Sequence, residues 1–205
     1  MQESKTISTY KLGLKDKILK DAMQSFSRYG IKAVKMDDIA SHLSISKRTL
    51  YEIYETKEDL LFEGMKHYHE EVSQKMRQIG EESENVMEII LRVYRFKAEE
   101  FRQTNPLFYE EIGKYPHLLA YLEKEKYQMR AHQMAFLQRG VDEGYFRENI
   151  NFELVVKLFE AIGQYFMSEE LYKQYSIEEI FNNHFFLTLR GLCTEKGIKA
   201  IEKFY

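Results

Sequence analysis

"ISKRTLYEIYETKEDLL", Ile45 to Leu61, is the stretch on which the fold turns. Ser46 is a favoured N-cap residue, so it predicts a helix start at Lys47. At 100° per residue, Leu50, Ile53 and Tyr54 fall on one arc, which must face a core. Arg48 and Glu52 point the opposite way, with Tyr51 nearby and Lys47 and Thr49 on the flanks. The helix is therefore short and two-sided, and it opens on basic residues turned outward. Thr56 followed by Asp59 is a capping-box pattern, which opens another helix.

Working back from Ile45, the spacing of Ile18, Ala22, Phe26 and Tyr29 predicts a helix over 15–29, stopped by Gly30. A second helix is expected at about 37–43, with Asp37 and Asp38 at its positive end and Ile39, Ala40 and Leu43 facing inward. Two short helices joined by a tight turn and packed on a preceding helix make a helix-turn-helix, whose second helix enters the DNA major groove with its N-terminal residues toward the bases.

Each outward residue then has a chemical use. Arg48 can donate two parallel hydrogen bonds to guanine O6 and N7, and Lys47 can reach the same edge or a phosphate. Thr49 and Tyr51 can donate hydroxyls to phosphate oxygens, which positions the helix without reading sequence. Tyr54 closes the core arc and is also counted among the DNA-binding residues. Lys57, in the first turn of the fourth helix, is placed to hold a phosphate with the free amides there. Glu52 either accepts from cytosine N4 or orients Arg48 one turn back; the second is favoured.

Charge agrees with this division. Residues 1–50 hold ten Lys or Arg and five Asp or Glu, a net +5, and the remainder carries −8, for a total of −3. A basic head on an acidic body fits nucleic-acid contact at one end. With 44% apolar residues and only two prolines, the chain is expected to be all-α with a buried core. Cys193 stands alone, so it forms no internal disulfide and is expected to be a small buried hydrophobe. The polar N-terminus and the lack of a long apolar run lead to the expectation of a cytoplasmic protein with no membrane span.

Beyond the fourth helix, which is expected to end near Ile79, longer helices are expected at about 86–103, from Pro116 to about Val141, at 152–168, and from Ser176 to at least Cys193, with a short one capped by Asn105-Pro106. That makes about nine helices. The expected division is a helix-turn-helix domain over 1–56 and a helical domain over 57–205.

Residues 18–64 resemble the DNA-binding domain of TetR-family transcriptional regulators. The resemblance is carried by Phe26, Gly30, Ile39, Ala40, Ser46, Thr49, Leu50, Tyr51, Tyr54, Lys57, Glu58 and Leu60, and it covers about a quarter of the chain. Three positions depart from the family's pattern. Lys35 stands where the family usually has a capping Thr or Ser, and it is counted with the phosphate contacts. Ser44 and Arg48 each stand where glycine is common.

The resemblance implies that the later helices hold a pocket for a small effector, and that the last two pair with a second copy as a four-helix bundle. For the pocket the candidates are Tyr94, Phe101, Phe108, Tyr127, Met129, Met134 and Phe136, which would take an apolar or aromatic effector. For the dimer interface they are Leu158, Ile162, Tyr165, Phe166, Phe181, Phe185 and Leu189. A homodimer would read a palindromic DNA operator, most simply as a bacterial repressor released by its effector. No catalytic residues, metal ligands or cofactors are expected. An enzyme is disfavoured, since the nucleophile-elbow, P-loop and dinucleotide-binding motifs are missing from the sequence. A helical interaction module would leave Lys47, Arg48 and Lys57 without a role.

Overall fold

The computed structural model describes residues 2–204, with side chains from Gly13 onward. Ten α-helices follow in order: α1 (Gln2–Tyr29), α2 (Met36–His42), α3 (Lys47–Ile53), α4 (Lys57–Glu82), α5 (Val86–Gln103), α6 (Pro106–Ile112), α7 (Pro116–Asp142), α8 (Phe152–Ser168), α9 (Ile177–Leu192) and α10 (Glu195–Glu202). Among the described residues there is no strand beyond one isolated bridge, Phe146 with Cys193.

The chain divides into two compact units, 1–73 with 104–120, and 74–103 with 121–205. The expected boundary at 56/57 is therefore corrected. About two-thirds of α4, to Ser73, and all of α6 belong with the helix-turn-helix. Leu60, Leu61 and Met65 of α4 are buried there, so cutting at 56 would strip the small domain of its floor.

In the first unit, Ile18, Phe26, Ile31, Ile39, Leu50 and Leu60 are fully buried, and each contributes about 1.5–3 kcal/mol by leaving water. Helix α1 is longer than expected and reaches back to Gln2. No proline interrupts 2–14, so nothing in the backbone stops the helix there. Gly30 ends it at φ +84°, where an added Cβ would lie 3.3 Å from Leu107 Cβ and 3.2 Å from Glu111 Oε2.

The second unit is built on Val86, Met87, Leu91, Phe146, Phe186, Leu189, Leu192, Cys193 and Ile201. Cys193 is buried and unbonded, and burial pushes its thiol up to about 11, so it packs as an inert hydrophobe. Helix α10 was missed by the sequence reading. Its signal is Thr194, an N-cap whose Oγ1 accepts from Gly197 N at 3.4 Å, directly after extended Cys193.

One ion pair in this unit is costly. Lys97 Nζ lies 2.8 Å from Glu100 Oε2, one turn apart on α5. Contact favours the charged forms, but desolvation wins at both groups: Lys97 is lowered to about 8 and Glu100 raised to about 7. The raised Glu100 makes the folded state hold extra protons, so its contribution falls as pH rises toward 7. The lowered Lys97 makes the unfolded state hold extra protons above about 8, so stability recovers there. The pair is therefore least favourable between those two values. The double variant Lys97→Met, Glu100→Gln is expected to raise stability by ~1 kcal/mol near pH 7.5, with the gain shrinking toward pH 5 and pH 10. Urea unfolding across pH reads this directly.

Candidate nucleic-acid interface

The turn between α2 and α3 sets the angle of the outward helix. Leu43 caps α2, Ser44 adopts φ +52°, and Ile45 follows. Ile45 N donates to Ala40 O at 3.0 Å and Ser44 N to Ser41 O at 3.1 Å, the two bonds of a Schellman ending. Ser44 thus holds the left-handed conformation for which glycine is the usual choice, and it carries the strain of its Cβ.

Ser46 then caps α3 as expected, its Oγ accepting from Thr49 N at 3.0 Å. The Thr49 hydroxyl is 2.8 Å from the same oxygen, so it is engaged in the cap. Leu50 is fully buried beneath the helix, and Tyr51 is about half exposed. Arg48 is the most exposed group here, its side chain 88% accessible, and its Nε donates to Glu52 Oε1 at 2.8 Å. That contact leaves both Nη groups turned outward, ready for two parallel bonds to one acceptor edge. The hydrogen bond to Glu52 also raises the pKa of Arg48, so the group is always charged.

Lys47 departs from the simplest expectation. Its ammonium is paired with Asp37 of α2, across the turn. Both groups are exposed, so the pair is weak and a phosphate can replace the carboxylate. Lys35 is exposed and has no side-chain role at the start of α2. Its lysine side chain has no acceptor, so only the reciprocal half of a capping box forms: Lys35 N donates to Asp38 Oδ2 at 2.9 Å. Asp38 thereby satisfies the Lys35 amide, while the amide of Asp38 turns to the Lys35 carbonyl at 3.0 Å instead of a Thr or Ser side chain.

Two expected contacts are corrected. Tyr54 is only 5% exposed, and its hydroxyl is buried with no hydrogen-bond partner among the described residues, so it does not reach a phosphate. Burial raises its pKa and keeps it neutral. Lys57 is turned inward: its Nζ donates to Ile31 O at 2.8 Å and Val34 O at 2.9 Å. Burial lowers its pKa, while Glu111 opposes the shift. It works as a staple on the α1–α2 turn, with at most one ammonium proton left over.

That turn is held from a second side by residues the sequence reading missed. Lys32 N donates to Glu111 Oε2 at 2.7 Å, and Glu111 is buried. Asn105 N donates to Ser27 O at 2.7 Å, and Asn105 Nδ2 to Arg28 O at 3.3 Å, which satisfies open carbonyls at the end of α1. These partners lie more than 70 residues apart, so no local pattern announces them.

The expected pocket residues scatter. Tyr127 and Met129 are exposed, Phe108 is buried in α6 of the first unit, and Tyr94 and Phe101 pack on the α9 ring of Phe181, at 5.7 and 4.7 Å. Met134 is half-buried. Only Met129 and Phe136 border a cavity described here. An inner chamber of about 430 Å³ is lined by apolar groups including Ile90, Phe136, Leu137, Val155, Phe159 and Leu189. An outer one of about 850 Å³ includes Met76, Arg77, Glu81, Met129, His132 and Arg139. Ile90, Gln133, Phe136, Glu160 and Phe185 border both.

The expected dimer set also splits. Leu158, Ile162 and Tyr165 are exposed along one face of α8, with Leu154 beside them and Leu187 of α9 74% exposed. Leu189 is buried in the unit's own core and Phe185 packs against it, while Phe181 is half-buried and stacks on Tyr94. Phe166 is half-buried against His184, ring centroids 5.6 Å apart.

Comparison with known proteins bears on this geometry. Residues 18–63 match the family model for bacterial regulatory proteins of the tetR family. The HTH-type transcriptional repressor KstR2 of Mycobacterium tuberculosis is 25% identical over 146 residues, 68% of this chain and 72% of that one. The uncharacterized HTH-type transcriptional regulator YezE of Bacillus subtilis is 27% identical over 135 residues, covering 62% and 70%. In fold, a TetR-family regulator from Agrobacterium tumefaciens superposes with a TM-score of 0.72 at 15% identity, over 90% of this chain and all of that one (100%).

Two substitutions test the local readings. Ser44→Gly is expected to raise stability by about 1 kcal/mol by removing left-handed strain at the turn, measured by urea unfolding. Lys57→Met is expected to lower it by ~1–3 kcal/mol, because two buried carbonyls lose a charged donor. An unchanged unfolding midpoint would leave the staple without an energetic role.

Proposed function

We propose that the chain is a TetR-family transcriptional regulator, a repressor which binds a palindromic operator as a homodimer and is released by a small molecule held in its second unit. The observation that carries the DNA reading is Arg48, exposed at the opening of α3 and oriented by Glu52. One short helix contacts too few bases for specificity, whereas two related by a dyad read both halves of a palindrome. The exposed stripe of Leu154, Leu158, Ile162, Tyr165 and Leu187 supports pairing through α8 and α9.

Release is a population shift. A ligand that fits the non-binding arrangement better than the binding one moves the equilibrium toward it. Helix α4 is one continuous element that begins with Lys57, stapled to the α1–α2 turn, and carries Met76 and Arg77 on the outer chamber. It is the natural element through which occupancy acts on the DNA-binding unit.

The test is a mobility shift with the DNA upstream of the protein's own gene, repeated over a range of salt. Arg48→Ala is expected to cost about 1–3 kcal/mol on the preferred site and to relax base preference at one position per half-site. Equal losses on all sequences would make Arg48 a phosphate contact instead.

A further inference from the structure

The two chambers of the second unit differ in chemistry. The inner one is walled by Ile90, Leu137, Val155, Phe159 and Leu189, and its polar lining is confined to Gln133, Glu160 and Thr188. A charged group placed there would lose its hydration with little in return. The outer chamber is rimmed by Arg77, Lys126, Arg139, His132, Glu81 and Glu160. An occupant that lies across the border at Phe136 and Phe185 must therefore be apolar at one end and polar or charged at the other.

The sign of that charge follows from which rim groups are already engaged. Glu160 is bound by Lys126 Nζ at 2.9 Å and by Arg130 Nη1 at 3.6 Å, so its charge is spent. Lys126 also lies 3.8 Å from Glu123. Arg139 Nε holds Glu143 at 2.6 Å. Arg77 makes no ion pair or hydrogen bond among the described residues, and both it and His132 are exposed residues that line the outer chamber. With Lys126, Arg139 and Glu160 all engaged, a cationic head would have only Glu81 in its favour and would face the unpaired Arg77. An anionic head would gain the planar, paired donors of Arg77.

We propose that the effector is an amphipathic anion, a long-tailed carboxylate or its like, with its tail in the inner chamber and its head on Arg77. This rests on the reading of the second unit as the effector site and gives that effector a chemical class. Arg77 is then a specificity residue, and α4 carries it directly.

The probes are dodecanoate, dodecanol and dodecyltrimethylammonium, each kept below micelle formation and titrated calorimetrically into the full chain. Dodecanoate is expected to bind about tenfold tighter than dodecanol, with the ammonium weakest. Arg77→Gln should remove the preference for dodecanoate and leave dodecanol unchanged, while Arg77→Lys should keep part of it. Dodecanol binding as tightly as dodecanoate, or the ammonium binding tightest, overturns the anionic class and leaves the cleft as an effector site. No binding by any of the three to folded protein overturns both readings.

Discussion

The ammonium of Lys57 on the carbonyls of Ile31 and Val34 is the contact on which the DNA-binding unit depends. The α1–α2 turn has too few residues to satisfy its own backbone, and buried carbonyls without donors are costly. Lys57 supplies the donors, and Glu111 takes the Lys32 amide from the other side. Because Lys57 is the first residue of α4, the same contact fixes where that helix begins relative to α2. The placement of α3 then follows from the Schellman turn at Ser44 and the cap at Ser46.

On that base the outer surface is arranged as cations held by acids. Asp37 holds Lys47, and Glu52 holds Arg48. Both pairs are exposed, so they add little to stability. Their effect is to restrict two long side chains that would otherwise lose more freedom on meeting DNA. Glu52 keeps its contact through Nε and leaves Arg48 the groups that match a guanine edge. The Lys47–Asp37 pair is exchangeable, since a phosphate offers the same ammonium a better partner.

Much of this was legible in the sequence, and for physical reasons. Caps and boxes are local, so Ser46, the Thr56–Asp59 pair and the Asn105-Pro106 start stand where their spacing puts them. The apolar arc under α3 was legible because a short helix has only one way to bury Leu50. What escaped was non-local or two-valued. A helix start favours an anion, which points Lys57 at a phosphate, but two carbonyls 23 and 26 residues away claim it first. Tyr54 fits both a core arc and a place among the DNA-binding residues, and burial chooses the core. Phe181, Phe185 and Leu189 were read as an interface because α9 is apolar on two sides, and only the packing of Tyr94 shows which side faces in. The expected pocket residues rest on residue type alone, on helices whose rotation no local signal determines, so Tyr127 is exposed and Phe108 lies in the other unit.

The central claim is that Arg48, presented by α3 and steadied by Glu52, reads a guanine in each half of a two-fold site. Methylation interference at guanine N7 on the bound operator tests it most directly. The result expected is one interfering guanine per half-site, symmetric about a dyad, whose effect disappears in Arg48→Ala. Interference that is absent, asymmetric, or unchanged in the variant would contradict it.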